Sequence, residues 1–100
     1  MTKGAIIETI SFRLREGADE AGFLAAMKGL EPFLSRIGGM ASREVSRDAE
    51  GVWTDRYVWA DKAAADRADA EFPKSAEGGA LMPFFEEGSL AIRRAGLIAL

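Results

Sequence analysis

Apolar positions along the chain alternate between two periods. Over residues 5–15 (AIIETISFRLR) the period is two. Ile6, Glu8, Ile10, Phe12 and Leu14 fall on one face, and Ile7, Thr9, Ser11 and Arg13 on the other, as in a strand with one face in a core. Glu16-Gly17 ends that run. Over residues 19–37 the spacing lengthens, and Phe23, Met27, Leu30, Leu34 and Ile37 form one stripe at helical spacing. Asp19 is placed to cap this helix, because its carboxylate can accept from the free amides of the first turn. Pro32 should kink or split it near Lys28–Glu31, and Gly38-Gly39 should close it.

Period two returns in residues 40–47 (MASREVSR) and, more strongly, in residues 52–60 (VWTDRYVWA), which are rich in aromatic and β-branched types. Asp48-Ala49-Glu50-Gly51 spells a hairpin loop between them. In the later run Trp53, Asp55, Tyr57 and Trp59 share one face, and Val52, Thr54, Arg56 and Val58 the other. Residues 61–72 predict a helix capped by Asp61 and stopped by Pro73. Residues 76–87 predict a short helix containing Leu81, Phe84 and Phe85, against the breaking tendency of Gly78-Gly79 and Pro83. Residues 89–100 predict a last strand. The order β-α-β-β-α-(α)-β predicts an α+β fold, a ferredoxin-like β-α-β-β-α-β sandwich with a four-stranded antiparallel sheet and helices on one face. One hundred residues make a single domain, 1–100. The other sheet face carries Ile7, Thr9, Ser11, Arg13, Val52, Thr54, Arg56 and Val58, a mixture that suits cover by a second subunit, so a homodimer is expected.

Composition narrows the chemistry more than the fold. Hydrophobic residues make up 48%, charged residues 29%, and the formal net charge is −3. With the basic residues scattered, neither nucleic acid nor an anionic membrane is expected as a partner. No apolar run is long enough to span a bilayer, and Met1-Thr2-Lys3-Gly4 meets Glu8 too soon for a secretory signal, so a cytoplasmic location is expected. The sequence contains no Cys, His, Asn or Gln. Disulfides, thiolate metal sites and a Ser-His-Asp triad are excluded with them, and neither cofactor nor metal is expected.

What remains is carboxylates, one phenol, Arg and Trp. Glu8 shares the core-facing side of the first strand, where an isolated carboxylate must be paired or neutralised. It is either an acid or base in a pocket, or it lies at the sheet edge and reaches water or an Arg. Asp55, between Trp53 and Tyr57, could approach Glu8 across two neighbouring central strands and split its pKa from that of Glu8. Alternatively it salt-bridges Arg43 or Arg94. Tyr57 is the only phenol and could donate to a substrate oxygen. These three are the candidate catalytic residues. Ile10, Phe12, Phe23, Met27, Trp53, Trp59 and Phe84 are the candidate lining of a pocket for a flat organic ligand. Arg43 either holds an anionic ligand or forms a structural salt bridge. Asp61, Asp66 and Asp69, at roughly helical spacing, read as a solvated helix face rather than a metal site.

Several of these residues also carry a resemblance. Glu8-Thr9-Ile10-Ser11-Phe12-Arg13-Leu14-Arg15-Glu16-Gly17, Phe23-Leu24, Ser42-Arg43-Glu44 and the pattern Gly51-x-Trp53-x-Asp55-x-x-x-Trp59 make the chain resemble the dimeric α/β-barrel superfamily over about residues 5–99. That group includes antibiotic-biosynthesis-monooxygenase-like and stress-responsive barrel domains, and the likeness is to a bacterial branch. The resemblance implies two protomers packed sheet to sheet into a barrel, and a pocket in each between sheet and helices. Haem-degrading members use His with Asn and Trp, and chlorite-dismutase-like members an axial His, so both chemistries are excluded here. Polyketide-cyclase-like members carry a His early in the first strand, at the position matching Glu8 when counted back from Gly17. Two functions follow as expectations. One is a small-molecule enzyme, monooxygenase-like or cyclase-like and cofactor-independent, acting on a small aromatic or polyketide-like compound. The other is a non-enzymatic dimeric domain that binds a small ligand or simply assembles.

Overall fold

The computed structural model describes residues 4–100. Met1, Thr2 and Lys3, on which the reading of the N-terminus partly rests, lie outside the described residues. The period-two segments form strands β1 (Ile6–Phe12), β2 (Met40–Arg47), β3 (Trp53–Trp59) and β4 (Ala91–Gly96). They make one antiparallel sheet in the order β2-β3-β1-β4, so β1 and β3 are the central neighbours. Their register pairs Ile6 with Trp59, Glu8 with Tyr57, Ile10 with Asp55 and Phe12 with Trp53. β4 places Arg94 opposite Glu8 and Ile92 opposite Ile10. Along β3 the alternation is complete. Trp53, Asp55, Tyr57 and Trp59 are buried, and Thr54, Arg56 and Val58 between them are half-exposed. The α+β ferredoxin-like architecture is as the pattern of elements predicts. The sheet of one chain is open, with β2 and β4 at its edges.

The long helical stripe is broken as Pro32 requires. Helix α1 (Glu20–Lys28) ends at Gly29, and α2 (Glu31–Ile37) restarts with Pro32 in its first turn, where a missing amide proton costs no hydrogen bond. Phe23, Met27, Leu30, Phe33 and Leu34 still face the sheet from both pieces. The Asp19 side chain caps α1 by accepting from the Ala21 amide at 3.2 Å. Asp61 caps α3 (Lys62–Glu71) by accepting from Ala64 at 2.9 Å.

Three boundaries differ from expectation. The helix expected over 76–87 is confined to α4 (Ala76–Leu81), followed by a 3-10 turn at Met82–Phe84. Pro83 tightens the chain there. The backbone then turns extended to form a bridge between Leu14 and Phe85, with Glu86 N donating to Arg13 O at 2.8 Å and Arg15 N to Phe84 O at 2.9 Å. The same bridge ends the first strand, which stops at Phe12 rather than running to residue 15. The last strand is shorter than 89–100. Ser89 is occupied in tying Arg13 to Glu86, and beyond Gly96 only Leu97, donating to Ala5, still reaches the sheet.

Gly39 joins α2 to β2 at φ 81°, and a Cβ built there would sit 2.8 Å from the Ala64 Cβ. Gly79, within α4, has open space around its missing side chain and no positive φ. Gly39→Ala is therefore expected to cost at least the roughly 1–2 kcal/mol of a left-handed alanine. Gly79→Ala should instead gain up to about 1 kcal/mol from helix propensity. Urea unfolding of the two variants against the parent checks the opposite signs.

Candidate active site

The sheet and the helices do not fill the space between them. A cavity of about 450 Å³ remains, within the roughly 300–1,000 Å³ of cavities that enclose small organic ligands. Its walls are largely apolar. Met27, Leu30, Phe33 and Leu34 come from α1, α2 and the two-residue link between them, Leu81 from α4, and Ile10, Phe12, Tyr57 and Trp59 from the two central strands. Met82, Leu90 and Ile92 also line it and are 45%, 49% and 50% exposed. The mouth therefore lies between the 3-10 turn and β4.

Two carboxyl groups stand on this apolar wall because period two places them there. Glu8 is 1% exposed and Asp55 4%. They sit diagonally across the β1–β3 pair, Glu8 opposite Tyr57 and Asp55 opposite Ile10, and each is held by a separate set of partners. Asp55 is gripped bidentately by Arg43, Nε to Oδ1 at 2.8 Å and Nη2 to Oδ2 at 2.9 Å. It also accepts from the Tyr57 hydroxyl at 2.8 Å. This is the salt-bridge reading of both Asp55 and Arg43. The Arg43 guanidinium lies over the Tyr57 ring, which in turn stacks on Trp59 at 5.3 Å between centroids. Tyr57 thus spends its one proton on Asp55. Burial, and then the neighbouring Asp55 charge, push its phenol far up, so it stays un-ionised.

Glu8 is not at an edge, as β1 is a central strand. It accepts from the Trp59 indole N–H at 3.0 Å and from Arg94 Nε at 3.2 Å. Its carboxyl is nevertheless pushed up to about 7. Burial is the largest cause. Asp69 adds to it, as acceptor of a hydrogen bond from the protonated acid and as a nearby negative charge, and Trp59 and Arg94 only partly offset these. A carboxyl poised there can both accept and donate a proton near neutrality.

The structure brings Glu8, Asp55, Tyr57, Ile10, Phe12, Met27 and Trp59 to the cavity wall. Phe23, Trp53 and Phe84 are elsewhere. Phe23 packs edge-on against Phe12, Trp53 and Phe84 in an aromatic cluster that closes one end of the core. Asp69, expected on a solvated helix face, also lines the cavity, with Glu86 and Glu87. The Asp61, Asp66 and Asp69 series is not a plain solvated face. Asp61 is a cap, and Asp66 and Asp69 grip Arg94 at 2.7 Å and 2.6 Å. Their i, i+3 spacing on α3, above a strand carrying an Arg, was the available signal. Among the described residues no cluster of three or more side chains suits a metal ion, and no helix is long and apolar enough to cross a membrane.

No family model matches the sequence, and no curated protein matches it. Solved structures do match in fold. A proposed antibiotic biosynthesis monooxygenase from Caulobacter crescentus superposes with a TM-score of 0.77 at 19% identity, over 96% of this chain and 92% of that one. SnoaB, a cofactor-independent oxygenase from Streptomyces nogalater, gives 0.77 at 16% identity, over 97% and 96%. A proposed antibiotic biosynthesis monooxygenase from Bordetella bronchiseptica gives 0.74 at 20%, over 96% and 99%. The chain therefore has the ferredoxin-like fold of the antibiotic-biosynthesis-monooxygenase-like proteins, as the resemblance implied.

Glu8 makes the fold sensitive to pH in a defined window. Its folded value, about 7, lies above the ordinary 4.5, so its contribution is fully present below the unfolded value and is lost as pH rises to 7. Each pH unit within that window should remove up to about 1.4 kcal/mol. Glu8→Gln keeps an acceptor for Trp59 and Arg94 and supplies an N–H for Asp69. Thermal melts between pH 4.5 and 8 should show a decline in the parent and its loss in Glu8→Gln.

Proposed function

We propose that the protein is a cofactor-independent, monooxygenase-like enzyme acting on a small flat aromatic compound with an acidic hydroxyl. The observation that carries this reading is Glu8, a buried carboxyl pushed up to about 7 on the wall of a largely apolar cavity. An apolar slot with one such group favours an uncharged ring system whose hydroxyl can surrender a proton. Arg43 and Arg94 are both engaged by carboxylates, which disfavours an anionic ligand. In the reaction, Glu8 takes the hydroxyl proton and leaves an electron-rich phenolate. That phenolate gives an electron to dioxygen, the two radicals join in a C–O bond, and the peroxide so formed takes up one proton, so that none is released overall. The resulting hydroperoxide loses water to leave a carbonyl where a C–H stood, so that a hydroxyarene and O2 give a quinone and H2O. The fold shared with SnoaB, described as a cofactor-independent oxygenase, supports this class over a cyclase. Asp55 and Tyr57 shape the wall through their mutual hydrogen bond and leave proton transfer to Glu8.

The alternative is a non-enzymatic ligand-binding or assembly domain. The locking of Asp55 and Tyr57 with Arg43, which leaves only Glu8 of the three candidate catalytic groups to exchange a proton, is the feature that favours it. Oxygen uptake separates the two. With polycyclic hydroxyarenes the parent should consume one O2 per carbonyl formed, and Glu8→Gln should bind equally but lose roughly 10²–10⁴-fold in rate. Binding without oxygen uptake in the parent would leave the alternative.

The helix-free sheet face presents Ile7, Thr9, Ser11, Thr54 and Val58, all half-buried, with no helix above it. A second copy packed on it would close the two open sheets into a barrel. Sedimentation at micromolar concentration should give twice the 10.8 kDa chain mass. A monomeric mass would contradict it.

A further inference from the structure

The guanidinium of Arg94 is surrounded by more negative charge than it can neutralise. Its three nitrogens meet three different carboxyl groups, Glu8 at Nε (3.2 Å), Asp66 at Nη1 (2.7 Å) and Asp69 at Nη2 (2.6 Å). Fully ionised, the three carboxylates exceed the charge of Arg94 by two, of which Lys62 at Asp66 offsets one, leaving one surplus negative charge beside a largely apolar cavity. One added proton relieves much of that repulsion, and the geometry says where it goes. Glu8 is almost wholly enclosed, whereas the Asp69 side chain is one-third exposed. Glu8 and Asp69 both line the cavity, and both are aligned by the same guanidinium. The other charged or titrating groups near Glu8 are occupied. Tyr57, opposite it on β3, donates to Asp55, Asp55 is gripped by Arg43, and Asp66 is shared between Arg94 and Lys62. Trp59 donates to Glu8 and does not titrate.

We propose that Glu8 and Asp69 share a single proton across the cavity wall and act as one unit, with Arg94 positioning both and Asp69 providing the outlet to water. This rests on the reading of Glu8 as the base and deepens it. A base buried beside an apolar ligand must shed each proton it takes before the next turnover, and its own path to water is closed. Asp69 supplies that path from the half-wetted rim. The proton moves from the ligand hydroxyl to Glu8, from Glu8 to Asp69, and from Asp69 to solvent, and one returns by the same route to protonate the peroxide. No electrons are transferred, and the pair returns to its starting charge. Asp69 acts through Glu8 and is a positioning and relay residue, not the group that meets the ligand.

The pair can be tested without any ligand. The Trp59 indole is hydrogen-bonded to Glu8, so its fluorescence in a Trp53→Phe background should titrate with the pair. The infrared carboxyl band that disappears in Glu8→Gln follows the same proton in the unaltered protein. The parent midpoint should lie near 7. Asp69→Asn should lower it by about one pH unit or more, by removing the neighbouring charge, and Asp69→Glu should restore it. Asp66→Asn is the control. It breaks an Arg94 contact of equal length, so a merely structural effect would move the midpoint as far as Asp69→Asn does. An unmoved midpoint in Asp69→Asn, or equal movement in Asp66→Asn, overturns the shared proton. If that happens while oxygen uptake still depends on Glu8, only the pair is lost. A shift in Asp69→Asn in a protein that takes up no oxygen retains the pair and removes the enzymatic reading.

Discussion

Two carboxyl groups on the apolar face of a central strand pair set the terms for much of the interior. A charge there must find a partner or give up its ionisation. Asp55 meets the requirement by recruiting Arg43 from β2 and the Tyr57 hydroxyl from its own strand. Glu8 meets it only in part, through Trp59 and a guanidinium already claimed by two aspartates of α3. The difference between these two solutions separates a structural ion pair from a titrating group. It also links the sheet to α3. Arg94 on β4 reaches both Glu8 on β1 and two residues of the helix above, so one side chain ties three elements together beside the cavity.

Much of this was legible in the chain. The alternation of Trp53, Asp55, Tyr57 and Trp59 gave the buried face of β3, and Pro32 gave the break between α1 and α2, because both are properties of local backbone geometry. Glu8 stood out for the same reason, as a charge inside an apolar period. Partners were harder. Arg43 and Arg94 were both candidates for Asp55. The choice depends on register, which places β2 beside β3 and β4 beside β1 and so gives Arg43 to Asp55 and Arg94 to Glu8. Asp69 escaped because helical spacing shows that residues share a face but not what the face covers. The 76–87 segment was over-read as helix because local propensity could not register the tertiary bridge between Leu14 and Phe85. Phe23, Trp53 and Phe84 carried the correct apolar character but packed on one another, away from the cavity.

The cavity and the core are made of the same side chains, and their coexistence has a geometric cause. Phe12 belongs to both. Its ring meets Phe23 and Phe85, and the residue also lines the cavity. The aromatic cluster at that end, together with the split of α1 and α2, holds the helices over the sheet while the middle stays open. An apolar void of this size forfeits packing contacts. Its survival in a 100-residue domain is itself an argument that it is kept for an occupant.

The mouth of the cavity has a consequence of a different kind. Met82, Leu90 and Ile92 stand at the rim, on a turn, just before an edge strand and on it, and none of these apolar side chains takes part in the hydrogen bonds that hold Glu8. On the proposed reading, the residues that would choose a molecule and the one that would handle its proton are separate sets of side chains. Substitutions at the rim would then reshape the opening while leaving the contacts of the acid inside unchanged.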